Sequence, residues 1–233
     1  MSLAQNNIYG LIPLSIGELS SLKLFDVSEN QLNGTFPPSF WQLKNLEVLD
    51  IEQNQLEGVV SETHFFNLTR LTTLMASENM MRFEPNSSWI PPFQCEVIEL
   101  SQWHPQLLKF QKLSRLDISH AGLSNVIPTW FLIIPTQFQI LNLSSNQLTG
   151  RISYLNVEDI VDPSLNRFSG PFPRLLPNQF YEPIPPDLHL SPSRNLFSGS
   201  LSEFVCKSSM TSVHILHIDT NLLSGEILDC WSC

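Results

Sequence analysis

Basic residues are scarce in this 233-residue sequence. It holds 12 lysines and arginines against 22 aspartates and glutamates, which gives a formal net charge of −10. Such a chain lacks the basic face that neutralises nucleic-acid phosphates or grips anionic lipid, so we expect no nucleic-acid partner. Hydrophobic residues make up 42% of the sequence, which is enough to build a buried core and argues against disorder.

Long hydrophobic runs are also missing. A helix that spans a bilayer needs about 20 consecutive apolar residues, whereas the longest candidate here is the short segment 130–134, which Pro135 ends. The first residues, MSLAQNN, lack the basic start and apolar core of a secretory signal. We therefore expect this chain by itself to hold neither a membrane span nor a signal peptide.

Catalytic motifs are absent as well. The sequence contains no G-x-S-x-G elbow, no H-E-x-x-H zinc motif, no phosphate-binding glycine loop and no kinase signature set. His214 and His217 are three residues apart, which on an alternating strand places them on opposite faces and makes a metal pair improbable. Asp159 and Asp162 fall in an irregular segment and are interpreted as part of a solvated loop. We expect no enzymatic activity, no cofactor and no metal.

One repeating frame, L-x-x-L-x-L-x-x-N-x-L-x-G, is what the sequence does contain. Three consecutive units place its asparagine at Asn30, Asn54 and Asn79, and later units place it at Asn146 and Asn221. A fixed period near 24 residues is typical of solenoid proteins, in which each repeat buries its apolar side against its neighbours. The sequence therefore predicts a stack of coils.

Each residue type in the frame has a physical role in such a coil. The alternating segment predicts a short strand, and stacking predicts one parallel sheet on the concave face of a curved, right-handed superhelix of the α/β class. The convex face should carry only a few short 3-10 or α turns, with prolines favouring extended segments. The asparagine amide should satisfy backbone groups where the chain leaves the strand, forming a ladder, and the glycine permits positive φ.

Longer sequence phrases within and between the repeats point to one family of repeat proteins. The frame continues as LTGRI at 148–152 and LSGEI at 223–227, and the phrases WIPPFQ, IPTWF and GEILDCW occupy residues 89–94, 127–131 and 225–231. On these residues the chain resembles the plant extracellular leucine-rich-repeat receptors, and among them the kinase-free receptor-like proteins. The resemblance covers nearly the whole chain. It implies a parent at the plasma membrane with extracellular repeats, which signals in defence or development through a co-receptor kinase.

The chain departs from the pattern of that family in several places. We expect residues 1–233 to form a single array of about nine or ten repeats, with irregular coils near 95–113 and 153–195. Pro192 and Ser193 interrupt the step from strand to asparagine before Asn195. The caps that the resemblance implies are missing at both ends, so the chain is interpreted as a partial ectodomain.

Four cysteines are present. Cys206 and Cys230 are one repeat apart, so neighbouring coils could bring them together in a disulfide. Two buried thiols are the alternative, and Cys233 is a competing partner for Cys230. Cys95 stands where an apolar residue would fit and is predicted to be a buried free thiol.

Four N-x-S/T sequons support passage through the secretory pathway. Their asparagines are Asn33, Asn67, Asn86 and Asn142. Asn142 falls on the predicted strand face, where a glycan would cover part of the concave surface.

Variable strand positions between the inward leucines should face the concave side and contact a peptide or protein ligand. The predicted ligand-binding residues are Lys23, Asp26, Glu29, Glu47, Asp50, Glu52, Thr72, Glu78, Arg115, Asp117, His120, His214, His217 and Asp219. Acidic residues dominate the early coils. They are interpreted either as a patch for a basic partner or as a solvated polar face.

Several functions fit these features. The first is the ligand-binding part of a plant cell-surface receptor-like protein, which takes an extracellular peptide or protein and acts through a co-receptor kinase. The alternatives are a secreted leucine-rich-repeat inhibitor of a microbial wall-degrading enzyme, the ectodomain of a receptor kinase, and a truncated copy without function.

Overall fold

The computed structural model describes residues 1–86, 89–102, 112–128, 131, 138–155, 157–175, 188–202 and 213–227. The chain divides into two compact units, Met1–Leu113 and Ser114–Cys233.

Unit 1 is a parallel β-solenoid. Its strands in chain order are β1 (Tyr9–Gly10), β2 (Leu24–Asp26), β3 (Gln31–Gly34), β4 (Val48–Asp50), β5 (Gln55–Val60), β6 (Thr73–Met75), β7 (Met80–Phe83) and β8 (Val97–Glu99). Strands β2, β4, β6 and β8 form one parallel ladder, in which Phe25 pairs with Leu49, Leu49 with Leu74 and Leu74 with Ile98. Strands β1, β3, β5 and β7 form a second parallel ladder further along each coil.

Three short 3-10 helices lie in the described part of unit 1. They are η1 (Leu14–Glu18), η2 (Phe40–Gln42) and η3 (Glu62–Phe65). Ile16 of η1 and the aromatic side chains of η2 and η3 are buried in the interior. Phe40, for example, is fully buried and lies with its ring centroid 5.1 Å from that of Phe25. The predicted solenoid, with parallel strands on one side and short 3-10 turns on the other, is therefore confirmed in this unit.

Unit 2 repeats this organisation. Its strands are β9 (Arg115–Asp117), β10 (Phe138–Asn142), β11 (Thr149–Gly150), β12 (Tyr154–Leu155), β13 (Val157–Asp162), β14 (Arg167–Gly170), β15 (Arg174–Leu175), β16 (Leu188–Leu190), β17 (Leu196–Ser200), β18 (Val213–Leu216) and β19 (Leu222–Ser224). The first ladder runs β9-β10-β13-β16-β18, the second runs β11-β14-β17-β19, and β12 pairs with β15. Every described pair is parallel.

The asparagine ladder is confirmed. The side-chain amide of Asn54 donates to the carbonyl oxygens of Val27, Ile51 and Glu52 at 3.0 to 3.2 Å and accepts the N–H of Leu32 at 3.0 Å. Asn195 keeps this pattern although Pro192 precedes it, because the Pro192 carbonyl serves as one acceptor at 3.4 Å. The interruption predicted from Pro192 and Ser193 therefore does not break the ladder.

A non-glycine residue with positive φ recurs at the turn that leaves the first strand. Ten of the described residues have this conformation, and most of them directly precede a ladder asparagine, as Glu29 (φ 51°) precedes Asn30. Such a backbone costs about 1 kcal/mol or more per residue, which the ladder hydrogen bonds offset. The successive turns come 18 residues apart between Gln102 and His120, and 20 apart between Ser145 and Leu165. The extent of the array and its repeat number stay predictions.

Two interpretations of local structure are resolved. Asp159 and Asp162 lie in β13 and not in a solvated loop, so that prediction was wrong; the chain there pairs with β10 and β16. Cys95 is confirmed as a buried free thiol, and its burial raises its pKa. Cys206 and Cys230 lie outside the described residues, so the disulfide between them stays a prediction.

Candidate ligand-binding face

The outward side of the first ladder in each unit carries the predicted ligand contacts, and we call it the strand face. In unit 1, β2, β4, β6 and β8 bury Phe25, Leu49, Leu74 and Ile98 and leave the flanking residues half-buried or exposed. The register then stacks one outward row across the four strands. This row consists of Asp26, Asp50, Met75 and Glu99.

The aspartates of this row have a structural role that the sequence analysis missed. The Asp26 carboxylate accepts the backbone N–H of Ser28 at 3.2 Å, and that of Asp50 accepts the N–H of Glu52 at 3.2 Å. Each side chain thus closes a turn at the end of its strand. The sequence signal for this turn is an aspartate or asparagine at the last position of the predicted strand. Its side chain accepts the backbone N–H of the second residue after it.

The same turn recurs in unit 2. Asp117, Asn142 and Asp162 accept the N–H groups of Ser119, Ser144 and Ser164 at 2.9 to 3.0 Å. Each aspartate uses one oxygen in this way, and in Asp26 the second oxygen accepts the Ser2 hydroxyl at 2.6 Å. In Asp117 that second oxygen accepts the amide of Asn142 at 2.9 Å. The predicted ligand contacts at Asp26, Asp50 and Asp117 are therefore also strand-ending residues.

Glu52 is the most perturbed acid on the strand face of unit 1. Burial, followed by repulsion from Glu99 and Asp50, raises the pKa of its carboxyl to about 7, although Ser77 donates to it. Burial, together with the charges of Asp26 and Glu29, also raises the pKa of Asp50. The half-buried centre of this face therefore gathers the carboxyl groups of Asp50, Glu52 and Glu99 on neighbouring coils.

The raised pKa of Glu52 predicts a pH-dependent stability. The folded chain holds this proton more tightly than the unfolded chain, whose ordinary pKa is 4.5. The stabilisation is complete below pH 4.5 and is lost as the pH rises through about 7. Because the group is partly solvated, we expect a loss of about 1 to 2 kcal/mol and not the full value of the shift.

Urea unfolding between pH 4.5 and pH 8 measures this effect, with Glu52→Gln as the test variant and Glu18→Gln, an exposed glutamate in η1, as the control. Glu52→Gln should reduce the decline in stability across this range, whereas Glu18→Gln should follow the unmodified chain. Equal declines in all three chains would contradict the assignment to Glu52.

The other predicted contacts of unit 1 lie around this centre. Lys23 forms an exposed ion pair with Glu47 at 2.9 Å, and the Thr72 hydroxyl donates to the Glu47 carbonyl at 3.1 Å. Glu29 and Glu78 are the positive-φ residues of their turns and are exposed. The fold therefore brings these positions onto neighbouring coils.

The strand face of unit 2 carries the remaining predicted contacts. Arg115 and Asp117 lie on β9, and His120 is the exposed positive-φ residue of the following turn. His214, His217 and Asp219 are exposed on the last described coil, where Nδ1 of His217 lies 3.2 Å from the Ser191 hydroxyl. Within the described ranges no cluster of His, Cys, Asp and Glu is suited to hold a metal ion.

The four sequon asparagines have different environments. Asn33 and Asn86 are exposed. The Asn67 amide donates to the Trp41 carbonyl at 3.3 Å and to Oε1 of Gln42 at 3.1 Å, and the Asn142 amide donates to Asp117. A glycan on either of these last two nitrogens would disturb its contacts. Glycosylation at all four asparagines stays a prediction.

Comparison with known proteins agrees with the geometry of both units. A family model described as leucine rich repeat matches residues 1–56. The crystal structure of a TDR receptor matches 97% of this chain and 43% of its own, with a TM-score of 0.65 and 26% identity. The crystal structure of the Arabidopsis receptor kinase HAESA, in complex with the peptide hormone IDA and the co-receptor SERK1, covers 97% of this chain and 34% of its own. Its TM-score is 0.58 at 24% identity, which shows the fold alone. The fold is therefore that of the leucine-rich-repeat proteins.

Sequence relatives show which family of leucine-rich-repeat proteins the chain belongs to. Receptor-like protein EIX2 of Solanum lycopersicum is 39% identical over 184 residues, which is 74% of this chain and 17% of that protein. Receptor-like protein 13 of Arabidopsis thaliana is 34% identical over 262 aligned residues, which is 97% of this chain and 24% of that protein. The chain belongs to the plant leucine-rich-repeat receptor-like proteins and corresponds to part of their repeat region. It spans at most about a quarter of the length of these two relatives.

No helix in the described part of the chain is long and apolar enough to cross a membrane. The leucine-rich-repeat fold of this family generally serves binding and not catalysis.

Proposed function

We propose that the strand faces form part of the ligand-binding surface of a plant cell-surface receptor-like protein. The ligand is an extracellular peptide or protein, and a co-receptor kinase transmits the signal in defence or development. The observation that carries this proposal is the outward row Asp26, Asp50, Met75 and Glu99, with Glu52 beside it. The HAESA complex, with its peptide hormone and co-receptor, supports it as a fold-level analogy.

The charge of this row favours a cationic ligand. Lysine or arginine side chains would relieve the repulsion that raises the pKa of Glu52. Met75, half-buried in the middle of the row, offers an apolar contact between the carboxylates. A short extended peptide with a basic residue on either side of an apolar one matches this arrangement.

The test is selection of linear peptides from a random library on the full chain, followed by measurement of Kd for a selected peptide. Selected sequences should be enriched in lysine and arginine, and the double variant Asp50→Asn, Glu52→Gln should weaken binding about tenfold. Asparagine at position 50 keeps an acceptor for the Glu52 N–H, so the strand end is preserved. Added salt should weaken binding as well.

The matched control is Glu18→Gln, which removes one exposed carboxylate away from the strand face. It should leave Kd unchanged. Peptides without an excess of basic residues, or equal affinities of the double variant and the unmodified chain, would contradict a strand-face site and favour the solvated polar face.

A further inference from the structure

A cleft away from the strand face opens beside the second ladder of unit 1. Residues of three successive coils line it, and its volume is about 70 Å³. Its walls include Thr35, Trp41, Glu57, Gly58 and His64. This volume is far below that of sites for drug-sized ligands, so the cleft can take only one side of a single ring, with the rest of the ring in solvent.

Three polar groups of this cleft have no hydrogen-bond partner among the described residues. No described residue hydrogen-bonds with the indole N–H of Trp41, the carboxylate of Glu57 or the hydroxyl of Thr35. Glu57 and Thr35 are exposed, but Trp41 is only 8% exposed. A buried indole N–H usually has an acceptor, so an acceptor supplied from outside the chain is the natural partner here.

His64 adds a second donor. When its Nδ1 accepts the backbone N–H of Ser61, at 3.0 Å, the neutral ring carries its proton on Nε2. Its ring packs edge-on against Trp41, with centroids 5.0 Å apart. The two donors therefore belong to adjoining rings, and the Glu57 carboxylate adds an acceptor to the same cleft.

The chemistry of these groups selects the class of ligand. An anion would be repelled by Glu57, and a simple cation would leave the indole and imidazole donors without acceptors. A neutral group that bears several hydroxyls both donates and accepts. We propose that this cleft binds a single sugar ring, with its hydroxyls donating to Glu57 and its oxygens accepting from Trp41 and His64.

The sugar has two possible sources. One is a saccharide from outside the chain. The other is a glycan on Asn33, which is exposed and stands opposite Gln55 in the register of β3 and β5. Thr35, which lines the cleft, is the threonine of the Asn33 sequon, and Glu57 follows Gln55 by two residues on β5. Residues i and i+2 of a strand are about 7 Å apart and share a face, so a sugar on Asn33 can reach the cleft.

The first experiment uses the full chain produced without glycans and the disaccharide N,N′-diacetylchitobiose as the probe. Binding is measured by saturation-transfer NMR and by calorimetry. Trp41→Phe keeps an aromatic ring and removes the N–H, and we expect it to raise Kd about tenfold. Trp89→Phe, which alters a tryptophan outside this cleft, should leave Kd unchanged. Glu57→Ala removes an exposed side chain without disturbing the core and should also weaken binding.

The second experiment distinguishes the sources. On the glycosylated chain, hydrogen exchange at residues 57–60 is compared with that of Asn33→Gln, with Asn86→Gln as the control. Slower exchange that Asn33→Gln abolishes assigns the site to the chain's own glycan. Binding of the probe without such protection assigns it to a separate saccharide. The proposal is overturned if the probe does not bind and exchange is unchanged, or if both cleft variants bind the probe as tightly as the unmodified chain.

Discussion

Replacing Asn54 by alanine should lower the free energy of unfolding by about 3 kcal/mol. The buried Asn54 amide joins three carbonyl oxygens, of Val27, Ile51 and Glu52, to the N–H of Leu32 in the preceding coil. Alanine would leave these backbone groups without their partner in a place where water reaches them poorly. Each buried group that loses its hydrogen bond costs about 1 kcal/mol or more. Urea unfolding followed by circular dichroism measures the change.

The neighbouring variant Gln55→Ala is the control, because Gln55 directly follows Asn54 at the start of β5 and its side chain is exposed. It should change stability by less than about 0.5 kcal/mol. Hydrogen exchange gives a second readout, since the amide of Leu32 should lose protection in Asn54→Ala alone. A loss of stability no greater than that of Gln55→Ala would show that the ladder amides contribute little.

The ladder was predictable because its asparagines recur at a fixed place in the frame. The positive-φ residue beside each of them was not, since that position holds Glu29, Leu165 and Thr220 in different coils. No residue type marks it. The conformation is imposed by the turn, which must direct the following asparagine inward, and it therefore becomes visible only in three dimensions.

The strand face was located from the alternation of apolar and polar residues, but the roles of its residues were not. Asp26, Asp50 and Asp117 were predicted as ligand contacts from their outward positions. That each also accepts the backbone N–H of the residue two places later was not predicted. The closeness of charged residues on different coils could not be predicted either. Glu52 and Glu99 are far apart in sequence, and only the register of β4, β6 and β8 brings their charges near each other.

The cleft beside the second ladder had no signal in the repeat frame. Trp41 and His64 occupy η2 and η3, which the frame describes only as a variable convex segment. Their contact depends on how two successive 3-10 turns stack. The frame records the inward positions of each coil and so predicts the core well, but it cannot show which polar groups the variable segments leave without partners.

Replacing Phe40 by alanine should cost about 3 to 5 kcal/mol of stability, a large share of the total for a small domain. Phe40 is fully buried in η2, with its ring centroid 4.5 Å from Phe36 and 5.1 Å from Phe25, so its removal leaves a cavity between the 3-10 side and the strands. Phe66, which is 61% exposed, is the matched control and should cost less than about 1 kcal/mol when changed to alanine. Urea midpoints at an unchanged m-value measure both losses. Equal losses would mean that the aromatic cluster does not hold the coils together.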